Sequence, residues 1–266
     1  MEINKLLNKF KSEYSFEEFR NYADIKIGIV TGADKFFILN SEEIGIENLI
    51  VKKSIPIIKS SKEISGLFFN GYIPNKKLII LNKEFNQKYI EKGEEKEFNK
   101  REHSIRRNPW FIPKLGKIPD AFFPYRIDEY PFLVINDSKK LQSTNSVHRI
   151  YFNKNITDNM KRWIQISQLS YVAQLSLEIN SKIYGNGVLK IEPKSLYSSL
   201  VYKGNTKLSK SIYSDINFLL INSKKLKAIE LASEFIFDKL EVSDNLANSS
   251  KKYFEKMRNC RKGKLT

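Results

Sequence analysis

Residues 108–111 of the 266-residue chain read Asn-Pro-Trp-Phe and combine an amide side chain with two aromatic rings. An amide group held beside a proline can accept hydrogen bonds from an exocyclic amino group, and an aromatic ring can stack on the base that carries it. These residue types therefore suit chemistry on the amino group of an extruded base. A catalytic site of this kind also needs a cofactor-binding element elsewhere in the chain.

That cofactor-binding element cannot be recognised. Enzymes that methylate base amino groups use an Asn/Asp-Pro-Pro-aromatic loop, and here Trp110 replaces the second proline. They hold S-adenosylmethionine on a glycine-rich turn between a strand and a helix, as dinucleotide sites do. Gly28 and Gly32 instead lie in a hairpin-like run with no predicted helix after it. We therefore predict that Asn108 is not catalytic and that its loop anchors Trp110 in the core.

Acidic residues leave a second chemistry open. Asp120 and the run Glu192-Pro193-Lys194 match the pattern of nucleases that hold Mg²⁺ between two strands. The proline would interrupt the second strand, so this nuclease stays an alternative and not the main interpretation. Ser/His/Asp chemistry lacks a nucleophile-elbow sequence. His148 is interpreted as a structural or DNA-facing histidine.

The charge balance indicates a polyanionic partner. Lysine and arginine total 46 against 30 acidic residues, a net charge of +16, and nucleic acid is the obvious polyanion. The frequent lysine, isoleucine and asparagine also fit an AT-rich coding sequence. A basic interaction domain whose charge reflects only lysine bias therefore stays open as an alternative.

Cysteine and histidine usage argues against a metal site. The single cysteine, Cys260, excludes an internal disulfide framework and a multi-cysteine zinc site. The two histidines, His103 and His148, argue against a His-rich metal centre. No apolar run approaches the ~18 residues of a membrane span, and acidic residues stand where a signal peptide would be apolar. We expect a soluble, cytoplasmic protein with neither a metal site nor a membrane partner.

The hydrophobic pattern predicts an α+β fold, with a curved mixed or antiparallel β-sheet body, packed helices and a helical C-terminal region. The predicted segments are an N-terminal helix at 1–21, a body at 22–195 and the C-terminal region at 196–266. Strands are predicted at 25–30, 36–39, 55–58, 77–81, 132–135, 147–152 and 188–191, the first two joined as a hairpin. A long buried helix is predicted at 158–179, and the charged stretch 89–107 is predicted as a solvated helix or a loop.

Four runs occur in an order that identifies a family resemblance: IKIGIVTGADKFFIL (25–39), RRNPWF (106–111), YPFLVINDSKKLQSTNSVHRIYF (130–152) and QLSLEINSKIYGNGVLKIEP (174–193). Together they resemble the C-terminal target-recognition domain of gamma-class N6-adenine DNA methyltransferases of restriction-modification systems, with a TaqI-like specificity domain. The end of the sequence also looks like the C-terminus of that family.

The resemblance implies a non-catalytic domain that recognises a specific sequence in double-stranded DNA. It implies that S-adenosylmethionine binds a separate methyltransferase catalytic domain or subunit, which would be the protein partner. The chain would be either a separately encoded specificity subunit or a part of a larger enzyme, with or without an attached endonuclease.

By this resemblance, three stretches have the chemistry of DNA contacts. Arginine can bind guanine or phosphate, asparagine can read adenine, and glycine-containing turns let backbone amides approach phosphate. A solvated basic turn and ordinary turn chemistry are the alternatives. The predicted DNA-binding residues are Arg106, Arg107, Trp110, Ser143, Thr144, Asn145, Ser146, His148, Arg149, Asn186, Gly187 and Lys190.

Overall fold

The computed structural model describes residues 2–69, 71–72, 74–138 and 140–263, in which short strands alternate with helices. The α-helices are α1 (Glu2–Glu13), α2 (Asp34–Phe37), α3 (Ser41–Ile46), α4 (Lys83–Glu95), α5 (Glu102–Ile105), α6 (Asp158–Leu169), α7 (Tyr171–Asn180), α8 (Pro193–Tyr197), α9 (Lys210–Ile221), α10 (Lys225–Lys239) and α11 (Asp244–Arg261). The strands are β1 (Glu17–Glu18), β2 (Ala23–Lys26), β3 (Ile38–Leu39), β4 (Lys53–Ile58), β5 (Lys77–Ile80), β6 (Ala121–Pro124), β7 (Arg126–Ile127), β8 (Val134–Ile135), β9 (Gln142–Ser143), β10 (Val147–Phe152), β11 (Lys182–Tyr184), β12 (Val188–Lys190) and β13 (Leu200–Val201). The predicted α+β fold class is confirmed.

The sheet β2-β10-β6-β8 is antiparallel throughout and lies between two hydrophobic clusters. Every residue of β6 is buried, because successive side chains point to opposite faces of a strand and both faces are covered. Phe122 belongs to one cluster and Ala121 to the other. Val147 at the start of β10 lies opposite Pro124 at the end of β6. The strand predicted at 147–152 is confirmed as β10.

The predicted hairpin at 25–39 is wrong. Strand β2 pairs with β10, whereas β3 pairs with β5 in a second sheet of order β3-β5-β4-β9. The Thr31 hydroxyl accepts from the Ala33 amide and bonds to the Asp34 carboxylate. This local bonding favours a helical turn, so the four-residue helix α2 follows Gly32, where the sequence predicted none.

The single helix predicted at 158–179 is two helices, α6 and α7, separated at Ser170. The Ser170 hydroxyl donates to the Ser167 carbonyl at 2.6 Å and accepts from the Ala173 amide at 3.3 Å. A serine that bonds both neighbouring turns ends one helix and caps the next. The predicted burial is confirmed, because residues 163–169 and 171–178 are all buried.

The charged stretch 89–107 contains a packed helical part. The Tyr89 ring stacks on Phe36 at 4.5 Å between centroids, and its hydroxyl donates to the Phe36 carbonyl at 2.9 Å. Residues 89, 90, 93 and 104 are buried, whereas residues 91–92, 94–97, 100–103 and 105–106 are exposed. The prediction of a solvated segment therefore holds for most of the stretch but not for the face that contains Tyr89. Across the described part of the chain, the helices are all too short or too polar to span a bilayer.

One hydrophobic cluster contains residues from all three predicted segments. Phe10 of α1, Trp163 of α6 and Phe254 of α11 all belong to it. Strand β1 also pairs with β13, with Glu17 opposite Val201. The terminal helices therefore pack on the body and share its core.

Close approach at Gly28 fixes the turn before β10. A β-carbon on Gly28 would lie 1.9 Å from the Thr144 carbonyl oxygen, and the neighbouring Ile29 amide donates to the Ser143 carbonyl at 2.7 Å. We expect Gly28→Ala to lower the free energy of unfolding by about 2 kcal/mol or more, because the backbone must move apart.

Urea unfolding checks this expectation, with Gly45→Ala as the matched control. A β-carbon on Gly45, in α3, meets no atom within 4 Å, so this variant should be unchanged or stabilised by up to about 1 kcal/mol. A Gly28→Ala protein as stable as the wild type would contradict the close approach.

Candidate nucleic-acid interface

A small polar cleft opens where the turn before β10 meets the end of β6. Because β10 and β6 are antiparallel, this turn lies beside Tyr125, whose amide donates to the Ser146 carbonyl at 3.1 Å. The cleft has a volume of about 270 Å³. We call its lining residues the polar cleft: Ser60, Ser61, Tyr125, Arg126, Asn145 and Ser146. Arg126, Asn145 and Ser146 are exposed, so a guanidinium, an amide and a hydroxyl are available to a ligand.

A cluster of two cations and two tyrosine rings adjoins the polar cleft on the sheet β11-β12-β7. Lys190 lies opposite Arg126 in the register of β12 with β7, and its amino group donates to the Tyr184 hydroxyl at 3.1 Å. The Arg126 guanidinium is 5.4 and 5.6 Å from the ring centroids of Tyr125 and Tyr184. The Lys190 amino group is 5.6 and 5.3 Å from the same two centroids. These are cation–π distances, and we call the four residues the cationic–aromatic cluster.

The electrostatics of the cationic–aromatic cluster keep it positively charged. Glu192 pairs with Lys190 at 2.9 Å and with Lys182 at 3.3 Å. Hydrogen bonding to Glu192, and then to Tyr184, raises the pKa of Lys190, and the same Lys190 bond lowers the pKa of Glu192. Three cations, counting Arg126, therefore face one carboxylate, and the surface carries net positive charge at neutral pH.

His148 lies beneath the polar cleft and joins it to the end of β12. Its side chain is fully buried, with Nε2 2.7 Å from the Ile191 carbonyl oxygen and the ring edge-on to Tyr125 at 5.2 Å. Burial lowers the pKa of His148, so the neutral imidazole donates to this carbonyl. His148 therefore holds Tyr125 in place, which corrects the prediction that it faces DNA.

Two further residues of the predicted DNA-binding turn point inward. Ser143 and Thr144 are 0% and 1% exposed. The Ser143 hydroxyl donates to the Val147 carbonyl at 2.9 Å, and the Thr144 hydroxyl donates to the Lys59 carbonyl at 3.1 Å. Their side chains are not accessible to a duplex, which corrects the prediction of direct contact. They instead shape the turn whose next two residues are exposed.

Arg149 and Gly187 also face the protein. The Arg149 guanidinium donates to the Ile27 carbonyl at 3.1 and 3.2 Å and to the Leu115 carbonyl at 2.7 Å. Gly187 is buried. Asn186 beside it is exposed, with a left-handed φ of 60°. The Arg149 guanidinium therefore bonds to backbone carbonyls, and of these three residues only Asn186 is exposed to a ligand.

The predicted arginine pair divides between the interior and the surface. Arg107 donates to the Thr31 carbonyl at 2.7 Å, and burial lowers the pKa of its guanidinium. Trp110 stacks on Phe36 at 5.3 Å between ring centroids, so it anchors its loop by packing. Arg106 is exposed. The structure therefore leaves Arg106 accessible on an element separate from the polar cleft.

The structure separates the two carboxylates of the nuclease alternative. Asp120 directly precedes β6 and accepts from the Phe152 amide at 2.8 Å. Glu192 follows Ile191, whose amide donates to the Tyr125 carbonyl at 2.8 Å, beyond the other end of β6. Residues 120–125 of an extended strand span roughly 16 Å, so the two carboxylates cannot share one Mg²⁺. Among the residues that the structure describes, no three His, Cys, Asp or Glu side chains group as metal ligands.

Sequence reasoning missed several residues of this surface. Tyr125 and Arg126 form an aromatic–basic pair directly after a strand, which is a signal that could have identified them. Tyr184 lies in the run 174–193 but was not among the predicted DNA-binding residues. Ser60 and Ser61 carry no local signal, because they reach the cleft through the parallel pairing of β4 with β9.

The residues of this surface lie in the part of the chain that matches the model of a known family. The family model described as the C-terminal domain of the type II methyltransferase M.Eco57I matches residues 1–237. The chain belongs to this family. The match includes the whole polar cleft and the whole cationic–aromatic cluster, and the predicted resemblance to the C-terminal domain of restriction-modification methyltransferases is confirmed.

Individual relatives are similar to this methyltransferase C-terminal domain over most of its length. The type II methyltransferase M.AccI of Acinetobacter calcoaceticus is 25% identical over 234 residues, which cover 81% of this chain and 43% of M.AccI. The type IIG restriction endonuclease BpuSI superposes with a TM-score of 0.59 at 14% identity, covering 98% of this chain and 33% of BpuSI. The type IIL restriction-modification enzyme MmeI has a TM-score of 0.48 at 13% identity, covering 91% of this chain and 36% of MmeI. The chain thus spans less than half the length of each.

The buried His148 predicts a pH-dependent stability. Its pKa is lowered in the folded state, so its contribution to stability is complete above its unfolded pKa of about 6.5 and is lost as pH falls below that value. We expect the free energy of unfolding to fall by at most about 1.4 kcal/mol per pH unit from this group.

Denaturant unfolding of the wild type and of His148→Gln at pH 7.5 and 5.5 checks this prediction. The glutamine amide can still donate to the Ile191 carbonyl, but it does not titrate. The loss of stability between the two pH values should therefore be smaller in the variant. Equal losses in both proteins would show that other groups cause the pH dependence.

Proposed function

We propose that this methyltransferase C-terminal domain recognises a specific sequence in duplex DNA through the polar cleft and the cationic–aromatic cluster. The proposal rests on one observation: exposed hydrogen-bonding side chains and fixed cations lie side by side at one end of the sheet β2-β10-β6-β8. The family membership and the net charge of +16 support it. Direct reading of bases needs hydrogen-bonding groups, and affinity for the backbone needs cations.

The two parts of the surface have different roles in this proposal. Asn145 can accept from N6 and donate to N7 of an adenine in the major groove, and Ser146 can bond a neighbouring base edge. Arg126 and Lys190 neutralise phosphates and set the register of the domain on the duplex. The tyrosine rings hold both cations in place, so little side-chain freedom is lost on binding. Asn186, in the turn of the hairpin β11-β12, remains a predicted contact, and so does Arg106 on its separate element.

The methylation chemistry belongs, in this proposal, to a separate catalytic domain or subunit. The chain spans 43% of M.AccI and 33% of BpuSI, which leaves room for a catalytic part in such enzymes. We propose that S-adenosylmethionine binds that part and that adenine N6 is the methylated atom. We also propose a cytoplasmic location, where such an enzyme meets its DNA.

Selection on randomised duplex DNA tests the function directly. The purified chain is incubated with the pool at 50 mM and at 150 mM salt, and the retained duplexes are sequenced. A short enriched motif that persists at the higher salt is expected. The second candidate, a basic domain without sequence preference, is favoured by the net charge of +16 alone. It predicts retention without enrichment that is lost at the higher salt.

Two substitutions separate base reading from phosphate contact. Asn145→Ala should relax the base preference at one position and weaken binding to the selected site by about 1–3 kcal/mol. Arg126→Gln should weaken all sequences alike and reduce the slope of log affinity against log salt by about 1. Competition binding across a salt series measures both quantities.

Lys9→Gln is the matched control for the loss of one positive charge. Lys9 is exposed in α1 and forms only a 3.7 Å pair with Glu13. Its removal should leave the salt slope unchanged. If Arg126→Gln and Lys9→Gln gave equal slopes, the cationic–aromatic cluster would not be the phosphate-binding surface.

A further inference from the structure

Arg261, at the C-terminal end of α11, contacts the segments that carry the cationic–aromatic cluster. Its side chain is completely buried. Nε donates to the Glu178 carboxylate at 2.8 Å, and Nη2 donates to the same carboxylate at 2.9 Å. Nη1 donates to the carbonyls of Gly187 and of Asp128, the latter at 3.1 Å, and Nη2 reaches the Glu129 carbonyl at 3.3 Å. All three guanidinium nitrogens therefore hold partners.

These partners lie on the two segments that carry the cations of the cluster. Gly187 directly precedes the return strand β12 and lies three residues before Lys190. Asp128 directly follows β7, two residues after Arg126. Glu178 belongs to α7, which is buried along most of its length. The Arg261 guanidinium therefore connects both cation-bearing segments to a core helix.

The backbone contact at this junction is equally close. Gly187 has a left-handed φ of 67°, and a β-carbon there would lie 2.5 Å from the Arg261 carbonyl oxygen. Lys262, the next residue, forms an ion pair with the Asp128 carboxylate, and this hydrogen bond lowers the pKa of Asp128. The turn of the hairpin therefore packs directly against the end of α11 at Gly187.

We propose that Arg261 and Glu178 are positioning residues that fix the hairpin β11-β12 and the adjoining β7 in the geometry that contacts DNA. This inference rests on the proposed function. A buried guanidinium is costly unless every donor is satisfied, and here its donors are directed at the segments that carry Arg126 and Lys190. The family match ends at residue 237, before α11 begins, so Arg261 lies outside the matched region whereas Glu178 lies within it.

Arg261→Lys tests the inference, because it keeps the charge and removes the planar set of donors. A lysine has three donors on one atom and cannot reach the carboxylate and three separate carbonyls together. We expect hydrogen exchange of the backbone amides in residues 182–190 to become at least tenfold faster. We also expect roughly tenfold weaker binding to the selected DNA, equivalent to about 1.4 kcal/mol. Glu178→Gln should act in the same way, and the double variant should add little, because the two residues act as one unit.

Arg258→Lys is the matched control on the same helix. The Arg258 guanidinium lies 4.5 Å from the Tyr130 ring centroid, and its substitution conserves the net charge in the same way. This variant should leave exchange in residues 182–190 and DNA binding unchanged. Exchange is measured at a fixed interval below the Tm of each variant, so that a general loss of stability does not imitate the local effect.

The outcomes separate the inference from the proposed function. Unchanged exchange in residues 182–190 of Arg261→Lys, or an equal effect of Arg258→Lys, would overturn the positioning role. Weaker DNA binding with unchanged exchange would overturn it as well. If the wild-type chain retained no DNA at all, the proposed function would fail. Faster amide exchange in residues 182–190 of Arg261→Lys would still show that Arg261 stabilises the hairpin.

Discussion

Strand β6 is buried on both faces, so its pairing with β10 cannot shift by one residue without exchanging the two faces. The large apolar Phe122 would then meet the wrong cluster. This fixed register places the turn before β10 beside the residues after β6, with Tyr125 bonded to Ser146. The same strand keeps Asp120 at its opposite end. One pairing therefore both assembles the polar cleft and prevents a two-carboxylate metal site.

Side chains that face inward orient the exposed groups of this surface. Three polar side chains have the hydrogen-bonding groups that contact nucleic acid, yet each bonds to a backbone carbonyl instead: Ser143, Thr144 and His148. Their bonds define the direction in which Asn145 and Ser146 point. A surface whose exposed groups are already oriented loses less conformational freedom on binding. In the proposed function, the polar residues beneath the cleft contribute to recognition by holding the residues above them, and their burial is part of that role.

The sequence predicted the elements well where local pattern decides them. Strand 147–152 was predicted correctly, as were the α+β class and the buried helical region from residue 158. The predictions from sequence were wrong where tertiary contacts or side-chain hydrogen bonds decide where an element ends or pairs. Ser170 divides one periodic helix into two, because its hydroxyl bonds both turns. Strands β2 and β3 look like a hairpin, but each finds a better buried partner in a different sheet.

The candidate site shows the same division. Asn145, Ser146 and Lys190 were predicted from residue type, and the structure brings them to one surface with Arg126. Residue type alone does not show which arginine is exposed. Arg149 and Arg261 donate hydrogen bonds to backbone carbonyls, whereas Arg126 is exposed to solvent. Arginine satisfies several acceptors in one plane, which makes it equally suited to binding phosphate and to holding loops. Whether an arginine of this domain holds a loop or faces solvent therefore depends on how many backbone carbonyls lie within hydrogen-bond distance of its guanidinium. Those carbonyls belong to segments that are distant in the sequence, so the residues next to the arginine do not reveal its role.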